Sequence, residues 1–284
     1  VSLMVGEPTT ITWKRWLSPG WRLWAQRHGY DLVLFREMLD WSPWATRRSP
    51  AWQKLLAMAS PQLSHYQQAL WLDADLMVHP AAPDPLLEVD SEKVSMVLEM
   101  GSTCSPQPEW FRSTWKTIEV ISMRTHWGVE LPYGGDGAYA LWGVSSIQRP
   151  LFNSGVIAFN PSKHQQVFLD VYHLWLDGGL GSLHEMIPLN LVLQQLGLCA
   201  ELPYLYNQLV GVMYAVFKQN PRRMEQWLGW PKGDSSPFTL INQLKKVPSF
   251  LHFAGCHSLM RHYLSSQDQI GPSDLALVDQ TTQL

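Results

Sequence analysis

Cysteine is scarce: the 284 residues hold Cys104, Cys199 and Cys256 and no CxxC pair, which argues against a disulfide framework and a zinc knuckle. A reducing compartment, and hence a cytoplasmic location, is the expectation. Charge is scarce too, at 16% of residues, with 21 Lys and Arg against 24 Asp and Glu and a net charge of -3. No basic field is there to hold a phosphate backbone, so nucleic acid is not expected as a partner. No apolar run is long enough to span a bilayer, and Val1 to Gly6 carries neither a basic leader nor a cleavage site, leaving peripheral membrane contact as an open option. No internal repeat or low-complexity tract occurs. What the chain has in excess is tryptophan, 15 residues beside 9 Tyr and 9 Phe, within a 46% hydrophobic composition. Such a chain can bury a sizeable core. Most of these rings are expected in it, although aromatic plates also suit stacking on sugars or bases and membrane interfaces; Trp115, Trp127, Trp142, Trp227 and Trp230, in or near irregular segments, are the candidates for stacking on a ligand.

The periodicities alternate strand with helix. Ser2 to Val5 reads as a strand, followed by a helix broken at Pro19-Gly20; Asp31 to Phe35 is a second strand, and Ser49-Pro50 opens a helix running from Ala51 to about Tyr66. Ala69 to Leu72, Val94 to Leu98, Val156 to Phe159 and Phe250 to Phe253 are further strands. Helices are expected from Trp110 to about Arg124, from Pro161 with a Ser162/Gln165 capping box, and from about Leu183 to Leu198. Tyr133 to Gly137 must be loop, and the residues after Tyr263 form a polar tail. The pattern implies an α/β domain with a mostly parallel central sheet and helices on both faces, where ligands sit at the carboxyl ends of strands. A single domain over 1–263 is expected, in two halves of about 1–100 and about 101–263, with 264–284 as the tail.

Asp73 and Asp75 end an apolar strand with one small residue, Ala74, between them, so in extended backbone both carboxylates face one side. Hard oxygen ligands there suit Mg²⁺ or Mn²⁺ holding a diphosphate. Solvated turn aspartates are the plainer alternative, but burial behind Leu70-Trp-Leu72 calls for a neutralising charge. His252, at the end of the last strand, can supply an imidazole to the same ion or serve as a satisfied core group. Glu185 is either a functional carboxylate or a helix N-terminal acid favoured by the macrodipole. Asp136 is a second sugar-binding carboxylate or an ordinary Asp-Gly turn residue. Val5 and Gly6 end the first strand where a glycine lets a base or ribose approach the backbone, or simply turn the chain.

Four stretches in order, Trp71-Leu-Asp-Ala-Asp75, Phe152-Asn-Ser-Gly-Val156, Leu202-Pro-Tyr-Leu-Tyr-Asn207 and His252-Phe-Ala-Gly255, make the sequence resemble the retaining glycosyltransferases of family 8, which include glycogenin-like and bacterial lipopolysaccharide sugar transferases. The Trp52-Gln-Lys54 approach is similar to family 34 galactosyl and mannosyl transferases. The resemblance covers about residues 1 to 260. It implies a GT-A fold, a Rossmann-like nucleotide-diphospho-sugar transferase architecture, with a divalent metal, usually Mn²⁺, bridging protein and UDP-sugar. Carried over, Asp73, Asp75 and His252 match the metal ligands, and Asn153 and Gly155 match the segment lining the donor sugar. Lys54 resembles the basic residue that reaches the donor, and Ala74, Ser154, Asn207 and Gly255 complete the matched donor-binding stretches.

The sequence departs from the family at two places. Glu185-Met186 stands where an Asp-Gln pair is usual, leaving Glu185, with Asn153, as the candidate catalytic residue, whether as donor ligand, oxocarbenium stabiliser or nucleophile. Ser258 stands where a lysine grips the diphosphate; His257, Arg261 and His262 are the substitutes, Arg261 being favoured because it is always protonated. A metal-dependent glycosyltransferase acting on a saccharide or glycan is therefore expected. The alternatives are a degenerate member that binds nucleotide-sugar with little turnover, and, more remotely, a DxD phosphohydrolase.

Overall fold

The computed structural model describes residues 1–99, 106–127, 139, 144, 150–174, 184–229 and 236–267. In chain order the elements are β1 (Ser2–Leu3), α1 (Glu7–Thr12), a π-helical turn (Trp13–Leu17), α2 (Ser18–His28), β2 (Leu34–Phe35), α3 (Gln53–Met58), β3 (Ala69–Leu72), β4 (Leu76–Val78) and β5 (Val94–Leu98). Then come α4 (Glu109–Trp127), β6 (Phe152–Phe159), α5 (Pro161–Leu174), α6 (Met186–Gln195), β7 (Cys199–Leu202) and β8 (Gln208–Leu209). The last elements are α7 (Val210–Gln219), α8 (Pro221–Leu228), α9 (Pro237–Leu244), β9 (Phe250–His252) and α10 (His257–Gln267).

The main sheet runs β3-β6-β5-β7, and a bond from Leu72 N–H to the Val1 carbonyl at 3.0 Å joins the parallel pair β1-β2 to its β3 edge. Parallel pairing also holds for β5-β7, but β6 runs antiparallel to both β3 and β5, so the sheet is mixed. Alternation within strands sorts side chains to two cores. Leu70, Leu72, Val156 and Ala158 face one cluster, with the tryptophans of the first helical stretch; Ala69, Trp71, Ile157 and Phe159 face the other, with α3 and α5. Apolar cover on both faces explains why all five residues of β5, Val94-Ser-Met-Val-Leu98, are buried.

Several local expectations are corrected. Pro19 does not end the first helix: helical structure runs on from Glu7 to His28, and the irregularity is the π turn at Trp13–Leu17 just ahead of the proline. The Ser162/Gln165 capping box does not form, because α5 already starts at Pro161; Ser162 Oγ donates to Asn160 Oδ1 and Gln165 reaches the Ala59 carbonyl. Helix α3 ends at Met58, short of Tyr66, and α10 carries helical structure past Tyr263 to Gln267. No helix among the described residues is long and apolar enough to cross a membrane.

Candidate active site

Strand register assembles the site. Leu72 pairs with Val156, so Asp73 emerges beside Gly155, and its N–H donates to the Gly155 carbonyl at 2.9 Å. The chain then turns into β4, whose Leu76 pairs with His252 of β9, setting Asp75 next to the imidazole. Parallel pairing of β8 with β9, Leu209 to His252, brings Asn207 alongside. One ligand atom each from Asp73, Asp75 and His252 lies within 4.8 Å of the others. His252 Nε2 stands 3.2 Å from Asp75 Oδ1 and 3.8 Å from Asp73 Oδ2. The three expected metal ligands thus converge. Two carboxylates and an imidazole form a donor set that fits Mn²⁺ or Mg²⁺, and their mutual closeness calls for positive charge between them.

His257 Nε2 contacts Asp75 Oδ2 at 2.9 Å from the opposite side. Burial would raise the Asp75 carboxyl, but the two imidazoles outweigh it and hold it well below the usual carboxylate range. Burial would likewise lower His252, yet Asp75 and Asp73 push it above the ordinary histidine value; His257 is also raised, chiefly by its hydrogen bond to Asp75.

Lys54 Nζ is fully engaged. It lies 2.9 Å from Asp73 Oδ1 and 2.9 Å from Glu185 Oε1, and donates to the Ser154 carbonyl at 3.2 Å. Burial opposes its charge, but the two carboxylates override that and raise it above the normal lysine value. Lys54 thus ties Asp73 to Glu185 while also lining the adjacent cleft. Trp71 Nε1 adds a bond to Asp73 Oδ1 at 2.8 Å, and Ser154 Oγ donates to Glu185 Oε1 at 2.8 Å. Glu185 occupies the N-cap position of α6 without a side-chain capping bond, directly after His184, whose φ of 34° lies in the left-handed region. Met186 is buried in a cluster with Tyr139, Leu151, Ile187 and Leu191.

A cleft of ≈ 260 Å³ opens onto this cluster, lined by Val5, Lys54, Asp73, Ala74, Asp75 and Arg261 among others. Helix α1, begun by Gly6 at φ 88°, supplies Pro8, Thr9 and Thr12 to its wall. His257 and Arg261 of α10 line it together, following Gly255 at φ 67°, where a side chain would be strained. His262 does not take part; its ring packs on Phe238 at 5.1 Å. His252, Asn153, Ser154, Gly155, Glu185 and Asn207 are not among the lining residues; Ser154 and Glu185 contact Lys54, and Asn207 contacts His252.

Asp136, Trp142, Trp230 and Cys104 lie outside the described residues, as does the side chain of Trp127. Trp115 and Trp227 pack against the core, whereas Trp41 is 69% exposed and Trp44 38% exposed, on the loop leading to Lys54. Sequence reasoning missed Glu99, which accepts from Asn153 Nδ2 at 2.8 Å. Its signal was the one used for Asp73, an acid directly after a fully apolar-facing strand.

Neither a protein-family model nor a curated protein sequence matches the chain. Among solved structures, a glycosyltransferase involved in glycosylation of the major capsid of PBCV-1 superposes with a TM-score of 0.50 at 14% identity, covering 92% of this chain and 97% of that one. The fold is the GT-A fold. The glycosyltransferase GlyE of Streptococcus pneumoniae TIGR4 gives 0.43 at 14% identity over 89% of this chain and 54% of its own, so this chain spans about half its length. The galactosyltransferase LgtC, solved with donor and acceptor sugar analogues, gives 0.42 at 12% identity, covering 89% and 87%.

Proposed function

We propose that the chain is a divalent-cation-dependent glycosyltransferase that moves a sugar from a nucleotide-diphospho-sugar, UDP being the expected carrier, to a saccharide or glycan acceptor with retention at the anomeric carbon. The observation that carries this reading is the convergence of Asp73, Asp75 and His252 beside the cleft of a GT-A fold. Retention rests on the resemblance to family 8.

In this reading Asp73, Asp75 and His252 hold the cation, which supplies Lewis acidity to the departing diphosphate oxygen when bound. Arg261 and His257, on the same cleft wall, grip the diphosphate in place of the family's lysine. Val5, Gly6 and the first turn of α1 receive the nucleoside, and backbone at Ala74 passes beneath it. Lys54 holds Asp73 and Glu185 in place through two ion pairs at 2.9 Å each. The Glu185 carboxylate, with Asn153 and Ser154, then serves the sugar side of the reaction, where positive charge develops at the anomeric carbon. No separate acid is needed, because the leaving group is already anionic.

A second reading, nucleotide-sugar binding with little turnover, is favoured by one observation: the position of the family's glutamine is occupied by Met186, turned into an apolar cluster. Incubation with Mn²⁺ and a panel of UDP-sugars separates the two. A transferase releases UDP slowly without acceptor and loses that release in Asp75→Asn. A melting-temperature rise with no release across the panel supports the binding reading. Release of phosphate from small phosphoesters points to a phosphohydrolase instead.

A further inference from the structure

We propose that Asn207, locked by Asn153, is a positioning residue that fixes His252 in the Nδ1–H form and presents its Nε2 lone pair to the cation. The inference rests on the cation site proposed above and is carried by a run of hydrogen bonds whose donors and acceptors place a proton on Nδ1.

The run starts at a group with no ambiguity. The Gly155 backbone N–H can only donate, and it donates to Asn153 Oδ1 at 2.9 Å. The other end of that amide, Asn153 Nδ2, donates to Glu99 Oε2 at 2.8 Å. Asn153 is therefore oriented from both sides. Its Oδ1 also accepts from Asn207 Nδ2 at 2.8 Å, which orients Asn207 in turn. The remaining Asn207 atom, Oδ1, lies 2.7 Å from His252 Nδ1. An amide oxygen can only accept, so Nδ1 carries the proton and Nε2, the atom facing Asp75 and Asp73, is left with its lone pair in the neutral ring.

Each alternative breaks a bond in a place where water cannot repair it. Turning Asn207 around sets its oxygen against Asn153 Oδ1. Turning Asn153 as well sets its NH₂ against the Gly155 N–H and its oxygen against the Glu99 carboxylate. Asn207 and His252 are 1% and 2% exposed, so a mismatched contact stays unpaired. The Nε2–H tautomer would aim a proton at Asp75 and occupy the position the cation needs. Metal-bound histidines commonly have the far nitrogen held by an acceptor for this reason. Here the acceptor is a side-chain amide, and its orientation is dictated two residues away by a strand backbone N–H. Gly155 serves the same arrangement a second time, because the imidazole lies directly against it: a β-carbon would stand 2.2 Å from His252 Cε1.

Two measurements on the full chain test this. Nitrogen-15 imidazole spectra of metal-free, histidine-labelled protein, at a pH where His252 is neutral and with its signal assigned by His252→Gln among the ten histidines, should show the Nδ1–H form. Finding the Nε2–H form overturns the proposal. Mn²⁺ titration should give an affinity about 10-fold or more weaker for Asn207→Ala, a loss typical of removing the group behind a metal-bound histidine. A folded Asn207→Ala that binds Mn²⁺ within about twofold of wild type, a difference too small for that role, overturns it. Mn²⁺ binding combined with the Nε2–H form removes the Asn207 role alone. No Mn²⁺ binding by wild type, with the Nδ1–H form present, overturns the cation site and the role of Asn207 with it.

Discussion

Lys54 and Glu185, from the first turn of α3 and the cap of α6, meet as a buried ion pair at 2.9 Å, and the same ammonium reaches Asp73 at 2.9 Å. One ammonium thus links Asp73, a candidate metal ligand, to Glu185. Lys54→Met leaves both acids without their partner at a site where the lysine and glutamate side chains are 7% and 3% exposed. A stability loss of about 3–5 kcal/mol is expected on denaturant unfolding. Wild-type stability in the variant would show that the pair does not hold these elements together.

Glu185→Gln keeps an oxygen for Ser154 and Lys54 but removes the charge. Turnover of nucleotide-sugar is expected to fall by about 100-fold, while Mn²⁺ affinity changes little, since Glu185 is not a metal-site residue. Unchanged turnover would confine Glu185 to its ion pair.

Gly155→Ala places a methyl 2.2 Å from Cε1 and 2.5 Å from Nδ1 of the buried His252 ring. The ring must move. The expected result is an overpacking cost of about 1–3 kcal/mol, together with weakened Mn²⁺ binding. Equal Mn²⁺ affinity in a folded variant would show that the ring position is not critical.

Cation binding competes with protons on His252 and His257, both held above the ordinary histidine value by Asp75. Raised values mean these groups are protonated, and the site blocked, over a wider acid range. Mn²⁺ affinity should therefore climb as pH rises through that range, by up to about tenfold per pH unit for each proton displaced, and level off once both rings are neutral. Calorimetric titrations from acid to mildly alkaline pH check this; a flat profile contradicts it.

The grouping of Asp73, Asp75 and His252 was legible because strand endings are: an apolar run that stops at an acid or a histidine marks a carboxyl end, and the register of β4 against β9 closes the gap between Asp75 and His252. The commitment of Lys54 was not, since it depends on Glu185, which only the approach of α6 brings near. Nor was the fate of the tryptophans. A ring's identity does not report what packs on it, so Trp227 is taken up by a T-shaped contact with Trp110 while Trp41 stays exposed. The orientation of β6 escaped as well, because buried strands read as apolar runs whichever way they point.

The central claim is that Asp73, Asp75 and His252 bind a divalent cation through which the nucleotide diphosphate is held. Calorimetry of UDP binding, with Mn²⁺ and with EDTA, on wild type and Asp75→Asn tests it most directly. The account predicts binding by wild type with Mn²⁺ and its loss by EDTA or by the substitution. Equal UDP affinity under all of these conditions would contradict it.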